Sequence, residues 1–474
     1  MEYKLEPSEP EMKQMLSKAS EYIVDYLLNV EKPTPFDMET VQKQASETIE
    51  RMPENETSLS NVLEDLFKNK IPYSFPTTSP GFMAYIPGGG IFHSILGGLI
   101  ARAANRYMGL NASAPFLSQV ESDVIRWFCE MVLYPSSAGG ILTSGGSIAN
   151  LTAVITARDL IVGEKVSKGT VYASEYSHHS LWKAFHAAGI FPSQIRIIPV
   201  DNHFRIDLNR LRDTILKDKK EGCIPFMIIA NGGSTNTGTV DPLDELASIS
   251  RKFGTWCHVD AAYGGFFAMT PNGMSLLKGI ELADSITLDP HKGLFLPYGT
   301  GALLVKDRNT LRQVFSHQVE YLPDNNGNDN LWDFSEMSLE LTRPFRGLGI
   351  WLPFKVLGAG VFKTALKEKL FLSKYFQDEI KKKDCWEIIA PPELSLTVFR
   401  FYDKQMDKEE LNRINQEIIN HVNSQLRTYI SGTIINGNFV LRDCILSFRT
   451  HREHVDWLVE DLNNAVKKTL ENKI

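Results

Sequence analysis

A lysine closes one apolar run of this chain and an acid closes another. Lys292 stands in Asp289–Pro290–His291–Lys292–Gly293, directly after Ser285–Ile286–Thr287–Leu288. A lysine at the end of a buried strand is costly unless its amine is used. Burial depresses the pKa of a lysine, and the neutral amine can then form a Schiff base. Earlier, His258–Val259–Asp260–Ala261–Ala262–Tyr263 ends a second run with Asp260. A buried carboxylate needs a partner or it protonates. A lysine to hold an aldehyde and an acid to hold a pyridinium nitrogen, at neighbouring strand ends, suit pyridoxal 5'-phosphate (PLP). Taken singly, each has a plainer account: Asp260 as a helix cap or buried ion pair, Lys292 as a surface lysine on a loop.

Three further segments have the same placement, after an apolar run and before a helical pattern. Thr143–Ser144–Gly145–Gly146–Ser147–Ile148–Ala149–Asn150 combines small residues with a following helix. Free N–H groups and the helix dipole there favour a phosphate, and Ser147 adds a hydroxyl. The segment is neither a Walker A loop nor a GxGxxG fingerprint, and glycine-rich turns before helices are common. Ser177–His178–His179–Ser180 offers a histidine to stack on a flat ring and handle protons; two surface histidines beside a capping serine explain it equally simply. Asn231–Gly232–Gly233–Ser234–Thr235–Asn236 is a plain turn or a loop whose Ser234 or Thr235 bonds a ligand oxygen. Four such loops in order, supplying phosphate donors, a stacking residue, an acid and a lysine, are hard to attribute to chance.

The elements that must position them form an alternating pattern. Apolar β-rich runs at Thr170–Ala173, Gln194–Val200, Phe226–Ala230, Thr255–Val259, Ser285–Leu288 and Gly301–Val305 alternate with helical patterns at Leu181–Ala188, Leu208–Lys219, Leu243–Phe253 and Ser275–Leu282. This predicts an α/β fold with a mostly parallel central sheet and helices on both faces. Ligands of such sheets sit outside the carboxyl ends of the strands, where Asp260 and Lys292 lie. Residues 1–80 read as an N-terminal helical arm, with apolar positions from Met15 to Val30 at helical spacing, ended by Pro33 and Pro35, and a second stretch from Leu59 to Phe67. Residues 81–360 then form the large PLP-binding domain. Residues 361–474 form a small C-terminal α+β domain, with strands at Leu396–Phe401 and Cys444–Phe448 and helices near 408–426 and 452–470.

Composition narrows the partners. A chain of 474 residues exceeds one core, so two or three domains are expected. A net charge of −7 gives no reason to expect nucleic acid or an anionic membrane. No apolar run reaches the length of a membrane span, and the first residues lack the pattern of a secretion signal. Five cysteines without CxxC spacing predict free thiols in a reducing compartment, no metal site, and a cytoplasmic location.

The motifs TSGGSIAN (143–150), SHHS (177–180), HVDAAYGG (258–265) and DPHKG (289–293) resemble those of the group II PLP-dependent amino-acid decarboxylases, most of all the aromatic-L-amino-acid decarboxylases. The resemblance runs from about residue 75 to the C-terminus. It implies fold type I and a Schiff base on Lys292. It further implies Asp260 on the pyridine nitrogen, His178 stacked on the ring and Ala262 on the opposite face. Gly145, Gly146 and Ser147 would hold the phosphate, with His291 close by. A homodimer with its active site at the subunit interface and exchanged N-terminal helices is implied as well.

For the substrate, the resemblance assigns Tyr85, Ile86 and Pro87 to an aromatic pocket wall. It aligns Gly109 where a bulkier residue would narrow the pocket. Tryptophan, tyrosine, phenylalanine or dihydroxyphenylalanine are the expected substrates. Arg106 and Arg343 keep glutamate or aspartate open. Counting back without gaps from Thr342–Arg343 puts Phe334 at the family's mobile-loop tyrosine, with Tyr321 as the other candidate in a region that includes the polar stretch 323–330. A phenylalanine there would weaken proton delivery and open an oxygen-dependent route to an aldehyde. A PLP-dependent lyase acting on a phosphorylated amino alcohol and a non-catalytic PLP-fold scaffold are weaker alternatives. The first lacks a second cationic cluster; the second would have lost Lys292 or Asp260.

Overall fold

The computed structural model describes residues 5–33, 36–316, 332–390 and 392–471. Seven strands make the central sheet: β1 (Gly139–Thr143), β2 (Gly169–Ser174), β3 (Ile195–Ile198), β4 (Ile224–Asn231), β5 (Trp256–Asp260), β6 (Ser285–Leu288) and β7 (Gly301–Val305). Their order is β1-β7-β6-β5-β4-β2-β3. The run from β6 through β5, β4 and β2 to β3 is parallel, while β7 is antiparallel to both its neighbours. Most of these strands are buried along their whole length, which is why they read as apolar runs rather than alternating ones. Helices Gly146–Ile161, Leu208–Lys220 and Leu243–Phe253 cross between them.

The expected helix Ser275–Leu282 is not continuous. One helix, Pro271–Leu276, stops, and a single 3₁₀ turn, Ile280–Leu282, follows. Gly279 between them has φ +93° and lies against the Asp244 backbone, so the chain reverses there.

A second, antiparallel sheet has the order β10-β11-β9-β8, formed by β8 (Trp386–Ala390), β9 (Leu396–Phe401), β10 (Ser431–Ile435) and β11 (Asn438–Cys444). The strand expected at Cys444–Phe448 therefore lies earlier. Asn436 and Gly437, with φ of 50° and 74°, make a two-residue hairpin turn, and the ladder it starts runs out at Cys444. Helices Lys408–Ser424 and Arg452–Glu471 cover this sheet around Phe376, Phe399, Ile418 and Leu458. Met83 joins the same cluster: its N–H donates to the Tyr429 carbonyl at 2.8 Å, and its carbonyl accepts from Cys444 at 2.8 Å.

At the N-terminus, helix Glu9–Leu28 buries none of its residues. It is held through Tyr22 and Tyr26, whose rings lie 5.4 and 6.1 Å from Phe67. The helix stops at Leu28, before Pro33, where the Asn29 side chain caps the Asp25 carbonyl at 2.8 Å; Pro35 lies outside the described residues. All five cysteines are free thiols. Among the described residues no helix is long and apolar enough to cross a membrane.

Candidate active site

Parallel pairing aligns the chemistry. Asp260, the last residue of β5, is in register with Asn231 on β4 and with Thr287 on β6. The loops after these strands and the start of helix Gly146–Ile161 enclose a cavity of about 420 Å³. Its lining brings together Ser144, Gly145, Gly146, Ser147, His178, Asp260, Ala262, His291 and Lys292 from the sequence motifs.

Lys292 occupies the short helix Pro290–Gly293, three residues after Asp289. Its Nζ lies 2.9 Å from Asp289 Oδ2. Burial lowers the pKa of this amine, as the sequence suggests, yet the charges of Asp289 and then Asp260 outweigh burial and the net shift is upward. The expectation of a depressed lysine is thereby corrected: a carboxylate in contact holds the proton on. Asp289 is also the nearest acceptor for that proton. Its second oxygen, Oδ1, is buried without a hydrogen-bond partner among the described residues.

Asp260 accepts from Asn150 Nδ2 at 2.8 Å and from the Ala262 N–H at 3.2 Å. Both partners donate, so the acid acts as an acceptor on the protein side and can offer its charge to a cationic N–H. His178 has its Nδ1 2.8 Å from Ser180 Oγ. Desolvation by the cavity walls lowers its pKa, only partly offset by Asp260, so the neutral imidazole is favoured.

At the opposite end, no side chain caps helix Gly146–Ile161, while Ser144 and Ser147 are exposed to the cavity. A Cβ on Gly146 would come within 3.1 Å of Asp289 Oδ2 and 3.3 Å of the Ala262 Cβ, so a side chain there would crowd the wall of the cavity. His291 Nδ1 donates to the Thr300 carbonyl at 2.5 Å, which fixes its ring beside this turn. An uncapped helix start with two hydroxyls, an acid, an imidazole and a lysine in one cavity fit PLP in charge and size.

Other expected residues lie elsewhere. The Ser234 hydroxyl sits 2.6 Å from Thr237 Oγ1 and ties its own loop; the neighbouring Thr235 lines the cavity instead. Tyr85, Ile86 and Pro87 do not line the cavity of the single chain: Ile86 is in the core, and Tyr85 is 55% exposed. Gly109 leaves no open room. A Cβ there would meet the Tyr107 ring at 2.5 Å and the Leu341 carbonyl at 2.7 Å. Phe334 is fully buried in the main core, its ring 4.7 Å from the Arg343 guanidinium. The ungapped count to Phe334 thus lands on a packing residue, and Tyr321 lies outside the described residues. Arg343 is sealed in a buried pair with Glu121 at 2.5 Å and donates to the Leu142 carbonyl at 2.8 Å, so it is not available to a substrate. Arg106 is exposed and lines a neighbouring cleft that shares Tyr298 and Gly299 with the cavity. Asn150, Ser180, Asp289 and Tyr298 line the cavity without having been singled out; the first three stood inside or beside the quoted motifs.

Beneath Asp260, His258 is wholly buried and burial pushes its pKa down to about 4 from 6.5. Between these values the unfolded chain binds a proton that the folded chain refuses. Its contribution is complete above pH 6.5 and is lost as pH falls toward 4, a change of about 3 kcal/mol. Denaturant titrations across this interval should show His258→Asn losing less stability on acidification than the parent.

The chain matches the pyridoxal-dependent decarboxylase conserved domain over residues 42–402. It belongs to that family. Its cofactor is PLP, and its fold is that of the PLP-dependent decarboxylases. This decarboxylase is 32% identical over 460 residues to an aromatic-L-amino-acid decarboxylase of Bacillus atrophaeus, covering 96% of this chain and 95% of that enzyme. It is 30% identical to a phenylacetaldehyde synthase of Arabidopsis thaliana, covering 85% of each. The crystal structure of Catharanthus roseus tryptophan decarboxylase in complex with L-tryptophan superposes with a TM-score of 0.91 at 27% identity, covering 98% of this decarboxylase and 100% of that chain.

Proposed function

We propose that this decarboxylase converts an aromatic L-amino acid to its amine and carbon dioxide. The observation that carries the substrate class is the likeness along nearly the whole chain to an aromatic-L-amino-acid decarboxylase, 32% identical over 96% of this chain. The named activities of the relatives support the same class.

PLP, when bound, supplies the electron sink for the pair left by the broken Cα–carboxylate bond. The protein's part is positioning and proton control. Lys292 would hold the cofactor through its aldehyde carbon, the aldehyde oxygen leaving as water, and Asp289, 2.9 Å from Nζ, would accept the proton the ammonium must first lose. Asp260 keeps the ring nitrogen protonated. His178 and Ala262, both lining the cavity, would cover the two faces of the ring. The first turn of helix Gly146–Ile161, with Gly145, Gly146 and Ser147, would hold the phosphate beside His291. The working unit is a homodimer. In support, Leu16, Val24 and Leu28 are exposed on the N-terminal helix, and an apolar groove of about 1150 Å³ is lined by Val24, Leu28, Phe92 and Val361.

Incubation with tryptophan, tyrosine, phenylalanine, dihydroxyphenylalanine and glutamate, in air and without it, tests the proposal. At least one aromatic substrate should give amine in both atmospheres. Turnover of glutamate alone would overturn the substrate class. The kinship to an aldehyde synthase favours a second reading, in which oxygen and water are consumed and aldehyde, ammonia and peroxide leave with the carbon dioxide. Aldehyde formed only in air would establish it.

A further inference from the structure

Asn150, the fifth residue of helix Gly146–Ile161, is buried to 1% exposure and meets four side chains from three segments, two of them on β5. Its Nδ2 donates to Asp260 Oδ2 at 2.8 Å and to Ser180 Oγ at 3.2 Å. Its Oδ1 accepts from Thr287 Oγ1 at 2.7 Å and faces His258 Nε2 at 3.0 Å. Two donors and two acceptor sites exhaust what a carboxamide has.

The polarity of the network follows from its ends. A carboxylate such as Asp260 can only accept, so the amide turns its NH₂ to Asp260 and its Oδ1 to Thr287 Oγ1 and His258 Nε2. A neutral His258 then carries its proton on Nε2 and gives it to Asn150 Oδ1. With both Oδ1 sites filled by donors, the amide must point its NH₂ at Asp260 and Ser180. The Ser180 backbone N–H donates to His178 Nδ1 at 3.2 Å, so that nitrogen accepts, and the Ser180 hydroxyl, receiving the Asn150 N–H, adds a second donor to it at 2.8 Å. One amide thus orients two groups that face the cavity.

We propose that Asn150 is a positioning residue that holds Asp260 as an acceptor for the cofactor's ring nitrogen and, through the Ser180 hydroxyl, supports the orientation of the His178 ring. The proposal rests on the PLP reading of the site. Asn150 touches neither substrate nor reacting atoms; it acts through the two residues that do. Asn150→Leu keeps the side-chain length and removes the amide, leaving Asp260 with the Ala262 N–H alone.

The test titrates PLP back onto resolved protein and records the visible spectrum of the loaded form. Asn150→Leu should bind PLP roughly tenfold or more weakly, the loss expected for a hydrogen bond to a charged group, with an altered band. Ser180→Ala, which removes the hydroxyl between Asn150 and His178 but keeps the backbone N–H on Nδ1, should bind PLP close to normally while lowering kcat modestly. Should Asn150→Leu fail to fold, Thr287→Val removes one anchor of the amide and should weaken PLP binding several-fold in the same direction. Wild-type affinity and spectrum in Asn150→Leu, or in Thr287→Val where that variant stands in, would overturn the proposal. Ser180→Ala weakening PLP as much as Asn150→Leu would overturn it too. A parallel Lys292→Ala sample separates the two levels: if it keeps the lysine-bound band, the PLP reading itself fails, whereas its loss beside a normal Asn150→Leu sinks only the positioning role.

Discussion

Lys292→Ala should lose decarboxylation by at least ~10²–10⁴-fold, the range for removing a positioned proton-transfer group, and should lose the visible band of lysine-bound PLP. The amine lies in the cavity, 2.9 Å from Asp289 and in the field of Asp260. Those carboxylates hold the proton on Lys292 before the cofactor arrives, so they also mark where the charge goes when the amine reacts. Alanine leaves Asp289 buried with no cation in contact, since His291 Nε2 is 3.7 Å away. Some destabilisation of the empty protein should therefore accompany the loss of activity, and restoring a cation with Lys292→Arg should recover stability without recovering the band. Persistence of both band and activity in Lys292→Ala would refute the assignment.

The second large effect belongs to Asp260. Asp260→Asn is nearly isosteric, yet both of its protein partners, Asn150 Nδ2 and the Ala262 N–H, are donors. An amide in that place must turn its NH₂ toward one donor or toward the ring nitrogen, and it carries no charge to keep that nitrogen protonated. Loss of one preorganised electrostatic partner of this kind is worth about 10²–10³ in kcat. The Lys292 band should survive, because the lysine is untouched. Steady-state kinetics with any accepted substrate, alongside the absorption spectrum, read both outcomes. Unchanged kcat would remove Asp260 from the machinery.

Much of the frame is legible in the sequence for a physical reason. Parallel strands buried on both faces must be apolar throughout, so β5 and β6 stand out, and the polar residues that close them, Asp260 and Asp289–Lys292, stand out with them. The β10–β11 hairpin is equally legible: Asn436–Gly437 is a strong two-residue turn signal, and it points to a strand at 438–444 rather than 444–448. Other features depend on contacts that spacing does not encode. The direction of the Lys292 shift turns on which carboxylates the fold brings near, and burial alone predicted the opposite sign. The hold of Asn150 on Asp260 spans 110 positions of sequence. Gly109 rests on the resemblance and Phe334 on an ungapped count, both in irregular segments where no periodicity guards the register, and the structure puts a tyrosine ring against the first and the core around the second.

Borohydride reduction of the PLP-loaded protein, followed by proteolysis and mass mapping of the pyridoxyl group, tests the central assignment most directly. The account predicts one modified peptide, with the label on Lys292. A label on any other lysine, with Lys292 unmodified, would contradict it.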